Sequence, residues 1–121
     1  MPGMRGLTLI AATGDPERLR AALTLASAHA ALGARTRLYA HEGAVTLLAG
    51  DDMDAGALAA KGLPGRAQLI AIALESGVAI IACQTGLSLA GLAQADLPAG
   101  IETGGLVGLL AELGDDRLDT V

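Results

Sequence analysis

The chain predicts an α/β fold, a parallel sheet with helices on both faces. Three observations carry this. Short apolar runs rich in strand formers alternate with stretches of helical periodicity. One run, Val78–Ala82, has almost no polar alternation, as expected of a strand buried on both faces of a parallel sheet. Polar residues gather directly after the runs, at the edge where open parallel sheets hold ligands.

The first strand is read in Gly6–Ala12. Asp15, Pro16 and Glu17 follow it: an N-cap, a proline suited to the first helical position, and an acid at the positive helix end. This helix is expected to reach about Leu32, where Gly33 stops it. Leu19, Leu23, Ala26 and Ala30 form one apolar stripe, and Ala21, Leu25, Ala28 and Leu32 a second. Two stripes predict burial on two sides, against the sheet and against a neighbouring subunit. Ala34–His41 reads as the second strand and EGAVTLLAG as a short helix. DDMDAGALAAKG, acidic and then glycine-rich, reads as a loop or irregular segment. Pro64 opens a helix that Gly77 ends, with Gln68 and Glu75 on its wet face. After the third strand come a short helix near Leu87–Ala93, a short strand at Gly100–Thr103, a helix over Gly104–Leu113, and an edge strand in RLDTV.

A length of 121 residues fits a single domain spanning 1–121, with no internal repeat or linker. Apolar residues make up 52% and Tyr39 is the one aromatic, so the core is built from Ala, Leu, Ile and Val. With a positive mean hydropathy, this predicts apolar surface covered by other copies, a homo-oligomer. No run is long enough to cross a bilayer, and the start, MPGMRGLTLIAATG, lacks a signal-peptide pattern. The expectation is a cytoplasmic protein with no membrane partner. A net charge of −5, one lysine (Lys61) and scattered arginines argue against nucleic acid.

The strand stops supply the candidate site. The first strand ends at Thr13 and Asp15, the second at His41 and Glu42, the third at Cys83, Gln84 and Thr85, and the fourth at Thr103 and Gly104. Cys83 is the only cysteine, so no internal disulfide forms. It stands where a buried strand passes into a helix, whose free N–H groups favour the reactive thiolate. A packed thiol is the competing reading, since free cysteine is among the most buried residue types. His41 beside Glu42 suits a proton shuttle, and a surface histidine in a turn is its alternative. His29, mid-helix, reads as an interface or helix-face residue. No ligand spacing points to a metal. TGDPER lacks both the GxGxxG and P-loop patterns and reads as a helix cap, while ETGG reads as a tight turn that can cradle an anion. No cofactor is expected, and missing aromatics weigh against a nucleotide or flavin.

TGDPERLRAALTLASAHAALG, GVAIIACQTGL and GIETGGLVGLLAELGDDRLDTV together resemble the DsrE/DsrF-like family, which includes the small sulfur-relay subunits of the TusD and DsrE type. The resemblance implies a three-layer α/β/α sandwich with a five-stranded parallel sheet in the order 4-3-2-1-5, and trimers or hexamers. In that order the second and third strands are neighbours, which brings His41 towards Cys83. It further implies that Cys83 carries sulfur as a persulfide between donor and acceptor proteins, a sulfurtransferase-type role, with His41 managing protons and the Thr85 hydroxyl and helix N–H groups stabilising the anion. QTGLSLAGL after Cys83 departs from the relay subunits. A non-enzymatic oligomeric module binding a small ligand or partner, with Cys83 merely packed, stays open beside it.

Overall fold

The computed structural model describes residues 4–50 and 53–121. The first residues of the chain's start and Asp51 and Asp52 of the acidic segment lie outside them. Five strands form one parallel sheet in the order β4-β3-β2-β1-β5: β1 Leu7–Ala11, β2 Thr36–Ala40, β3 Ala79–Cys83, β4 Glu102–Gly104 and β5 Arg117–Thr120. Five α-helices accompany them: α1 Pro16–Ala31, α2 Ala55–Ala60, α3 Arg66–Glu75, α4 Gln84–Ala90 and α5 Leu106–Ala111. A 3₁₀ helix, Glu42–Leu48, follows β2.

The strand order decides which helix covers which face. From β1 to β4 the chain steps in one direction across the sheet, so right-handed crossovers put the helices of those connections on one side. The connection from β4 to β5 returns across the sheet and puts α5 on the other side. Strand residues alternate accordingly. Leu9, Leu38 and Ile80 stand side by side in register and meet the α1–α3 layer, all with no exposed surface. Leu19, Leu23, Ala26, Ile70 and Ala73 complete that half of the core. The opposite face carries Thr8, Arg37, Tyr39, Ile81 and Cys83, and α5 reaches it through Leu109.

Several elements differ from the sequence reading. The segment read as a loop contains helix α2, because AGALAA has strong helical propensity once the acidic residues are passed. It buries none of its residues. The helix expected to open at Pro64 begins at Arg66, since Gly65 takes the cap and donates its N–H to Gln68 Oε1 at 2.9 Å. The helix expected near Leu87–Ala93 is α4, which starts at Gln84 and ends at Gly91, a residue in the left-handed region (φ 68°). Gly104, expected in a helix, closes β4 opposite Cys83, which delays α5 to Leu106. The inner stripe of α1 is buried at Leu19, Leu23 and Ala26, whereas Leu25 and Leu32 of the outer stripe are 49% and 47% exposed. His29 serves the chain itself, pairing through Nδ1 with Thr36 Oγ1 (2.7 Å) and through Nε2 with the Arg5 carbonyl (3.1 Å).

A polar cluster ties β5 to the sheet under α5. Asp116 is buried and accepts the Thr8 hydroxyl at 3.0 Å. Its carboxylate lies 3.7 Å from both Arg35 and Arg37. Arg37 donates through Nε to Thr8 Oγ1 (3.0 Å) and through Nη2 to the Leu109 carbonyl (3.1 Å). Gly6 leaves room for it, because a Cβ there would overlap the Asp116 carboxylate. Burial holds the Arg37 guanidinium below its ordinary pKa, and nearby Arg35 adds to the effect. Removing one partner therefore strands a buried charge. Asp116→Ala is expected to destabilise the fold by about 3–5 kcal/mol in urea unfolding, and Arg37→Met in the same chain to recover part of that loss.

Candidate functional site at the end of β3

Cys83 is the last residue of β3 and the N-cap of α4. It is 5% exposed. Its Sγ accepts the Gly86 N–H at 3.4 Å. The Tyr39 hydroxyl and the backbone of Glu42 and Thr85 also surround the sulfur and favour its thiolate. Burial pushes the thiol pKa up, but the polar groups around the sulfur, led by Tyr39, favour the thiolate more strongly, and the thiol ends below its ordinary value. Tyr39 moves the other way. Burial, then the sulfur it serves, holds its phenol above the ordinary range, so it remains a donor.

The donors converge because two backbone segments meet closely. Glu42 has φ 38°, a left-handed conformation rare outside glycine, at the turn from β2 into the 3₁₀ helix. Gly86 lies against this turn. An added Cβ there would stand 2.5 Å from Val45 Cγ2 and 2.7 Å from the Glu42 carbonyl oxygen. The missing side chain at position 86 thus lets α4 and the 3₁₀ helix close on the sulfur from two sides.

A cavity of about 330 Å³ opens beside the thiol. Among the residues read from sequence, Cys83, His41, Glu42, Gln84, Thr85 and Gly104 line it, joined by Tyr39, Leu106 and Val107. His41 continues β2 beside Cys83, and its ring lies 6.4 Å from that of Tyr39. Its Nε2 is 3.9 Å from Glu42 Oε1, and its buried Nδ1 has no hydrogen-bond partner among the described residues. Thr103 lines an adjoining cavity of about 280 Å³ that shares Gly104 and Gly105. Thr13 and Asp15 line neither cavity. The Thr13 hydroxyl accepts the Asp15 N–H (3.3 Å), and Asp15 caps α1 by accepting the Glu17 N–H (2.9 Å). A larger cavity of about 410 Å³ lies between α1 and α2, lined by Glu17, Arg20, Asp54, Lys61 and Arg66, with no thiol. No group of three His, Cys, Asp or Glu gathers among the described residues.

Tyr39 was not singled out from sequence. A signal exists: it stands two residues before His41, so strand alternation puts both on the face of Cys83. The Thr85 contribution also differs in kind, since its backbone N–H, rather than its hydroxyl, serves the sulfur.

These shifts set a sign for reactivity. A lowered pKa means more thiolate at a given pH, so iodoacetamide alkylation of Cys83 is expected to rise with pH about a midpoint below that of a free cysteine. Tyr39→Phe removes a donor to the thiolate and is expected to raise the midpoint and slow alkylation at neutral pH. Gly86→Ala forces the two segments apart and is expected to destabilise the chain by about 1–3 kcal/mol in urea unfolding.

Comparison with known proteins places the geometry in a family. The chain resembles the YchN protein from E. coli, with a TM-score of 0.74 at 24% identity, over 98% of this chain and 100% of that one. It also resembles MTH1491 from Methanobacterium thermoautotrophicum, a protein of unknown function, with a TM-score of 0.72 at 16% identity, over 98% and 100% of the two chains. Both likenesses concern the fold. No curated protein matches. The family model described as "DsrE/DsrF-like family" matches residues 6–117, and with that span the chain belongs to the DsrE/DsrF-like family.

Proposed function

We propose that this chain is a cytoplasmic sulfur-relay protein that carries sulfane sulfur on Cys83. The observation that carries the reading is the Cys83 sulfur at a helix N-terminus, accepting the Gly86 N–H, beside an open cavity. A thiolate there attacks the outer sulfur of a donor persulfide. The donor's S–S bond breaks, a new S–S bond forms on Cys83, and the donor leaves as a thiolate. A second attack, by an acceptor thiol on the carried sulfur, releases it. His41, with Glu42 beside it, passes a proton to the departing thiolate. Gln84, Thr85 and Gly104 bound the space for the carried sulfur, and Thr103 lies next to it. Thr13 and Asp15 hold the neighbouring turn of β1.

The reading includes a single domain that assembles as a homotrimer or hexamer, its donor and acceptor being other proteins. The outer stripe of α1, with Leu25 and Leu32 half exposed, supports a contact between copies. No helix among the described residues is long and apolar enough to cross a membrane.

One observation favours the second reading, a binding module with a packed thiol: Cys83 shows 5% of its surface. The two separate in one experiment. Incubation with a persulfide donor followed by intact-mass measurement is expected to add one sulfur atom to the wild-type chain and none to Cys83→Ser. Equal addition to both, or none to either, favours the binding module.

A further inference from the structure

The two cavities that meet at Gly104 and Gly105 are unevenly charged. Glu42 lines the one beside Cys83, and Glu102 and Glu112 line the other. All three carboxylates are exposed. The cation lining either cavity is Arg37, which is buried and committed to Asp116, Thr8 and the Leu109 carbonyl. Among the described residues no exposed lysine or arginine lines either cavity. The other cations line neither cavity: Arg18, Arg20, Lys61 and Arg66 belong to the α1–α3 layer, Arg5 and Arg117 stand near the strand beginnings, and Arg35 donates to the Glu112 carbonyl at 2.9 Å. Next to the carboxylates α5 presents Leu106, Val107 and Leu110, with Val107 85% exposed.

We infer that this acidic, apolar-ridged cleft receives a cationic protein segment: a cysteine flanked by lysine or arginine, with an apolar residue to lie on α5. The inference rests on the relay reading and names the kind of partner that reading requires. The chemistry runs the same way. When the Cys83 thiolate attacks R–S–SH, the donor leaves as R–S⁻ while the hydrogen stays on the transferred sulfur. The sulfane sulfur is neither oxidised nor reduced, and the negative charge passes to the donor. That charge appears close to Glu42, and a cation beside the donor cysteine offsets both. An anionic donor meets repulsion on approach and again on departure. Because the carboxylates are exposed, the effect acts mainly on association rate and weakens with salt.

Two short synthetic peptides test this, each with one persulfidated cysteine and one leucine, one flanked by lysines and the other by glutamates. Loading of Cys83 is followed by intact mass at low and at physiological ionic strength. The cationic peptide is expected to load at least about tenfold faster at low salt, with the advantage shrinking as salt rises. Glu102→Gln together with Glu112→Gln is expected to narrow the gap and speed the anionic peptide. Equal rates for the two peptides, or an advantage unmoved by salt in the wild-type chain, would overturn the inference while leaving the relay reading intact. No loading from either peptide, nor from a neutral small-molecule persulfide, would overturn the relay reading and this inference with it.

Discussion

The contact on which the site depends is the approach of Gly86 to the turn at Glu42. Two pieces of backbone lie there closer than any side chain allows. That closeness lets the Gly86 N–H reach the Cys83 sulfur while the backbone of Glu42 and Thr85 stands near enough to favour its thiolate. Glu42 takes a left-handed conformation to make it possible. A sparsely populated backbone conformation thus stands beside the cavity of Cys83.

The rest of the fold holds these two segments in place. Adjacent parallel strands β2 and β3 end side by side, with Ala40 opposite Ala82, so the residues that follow them emerge together. The α1–α3 layer fixes the sheet from one face with leucine, isoleucine and alanine, in keeping with a chain that has one aromatic residue. On the other face a buried arginine–carboxylate cluster anchors β5 and α5. The single aromatic, Tyr39, lines the cavity beside Cys83, where its hydroxyl favours the thiolate.

Membership in the DsrE/DsrF-like family and the likeness to YchN and MTH1491 agree with this architecture. The sheet order matches the one the family resemblance implied, and with it the neighbourhood of His41 and Cys83. The charge around the cleft is a feature of this chain's own residues. Glu42 and the apolar ridge of α5 border the thiol's cavity, and Glu102 and Glu112 line the adjoining one.

Much of this was legible in the residues. Alternating apolar runs and helical stretches indicated the parallel α/β sheet, because strand and helix periods are local properties of the chain. The polar stops after each run marked the carboxyl edge of the sheet for the same reason. Boundaries were less legible. Helix α4 begins at Gln84 because the Cys83 sulfur caps it, and β4 extends to Gly104 because it pairs with Cys83. Helix α2 was masked by the acidic residues before it, although its own alanines favour helix. What no local pattern contains is the meeting of Tyr39, Glu42 and Gly86 around one sulfur. These residues lie far from Cys83 along the chain or, like Gly86, look like ordinary turn residues. Their proximity follows from strand order and from a backbone contact that spans more than forty residues. The thiol's place at a strand end is therefore a property of local sequence, whereas its lowered pKa is a property of packing, since hydrogen bonds to one atom depend on where distant segments come to rest.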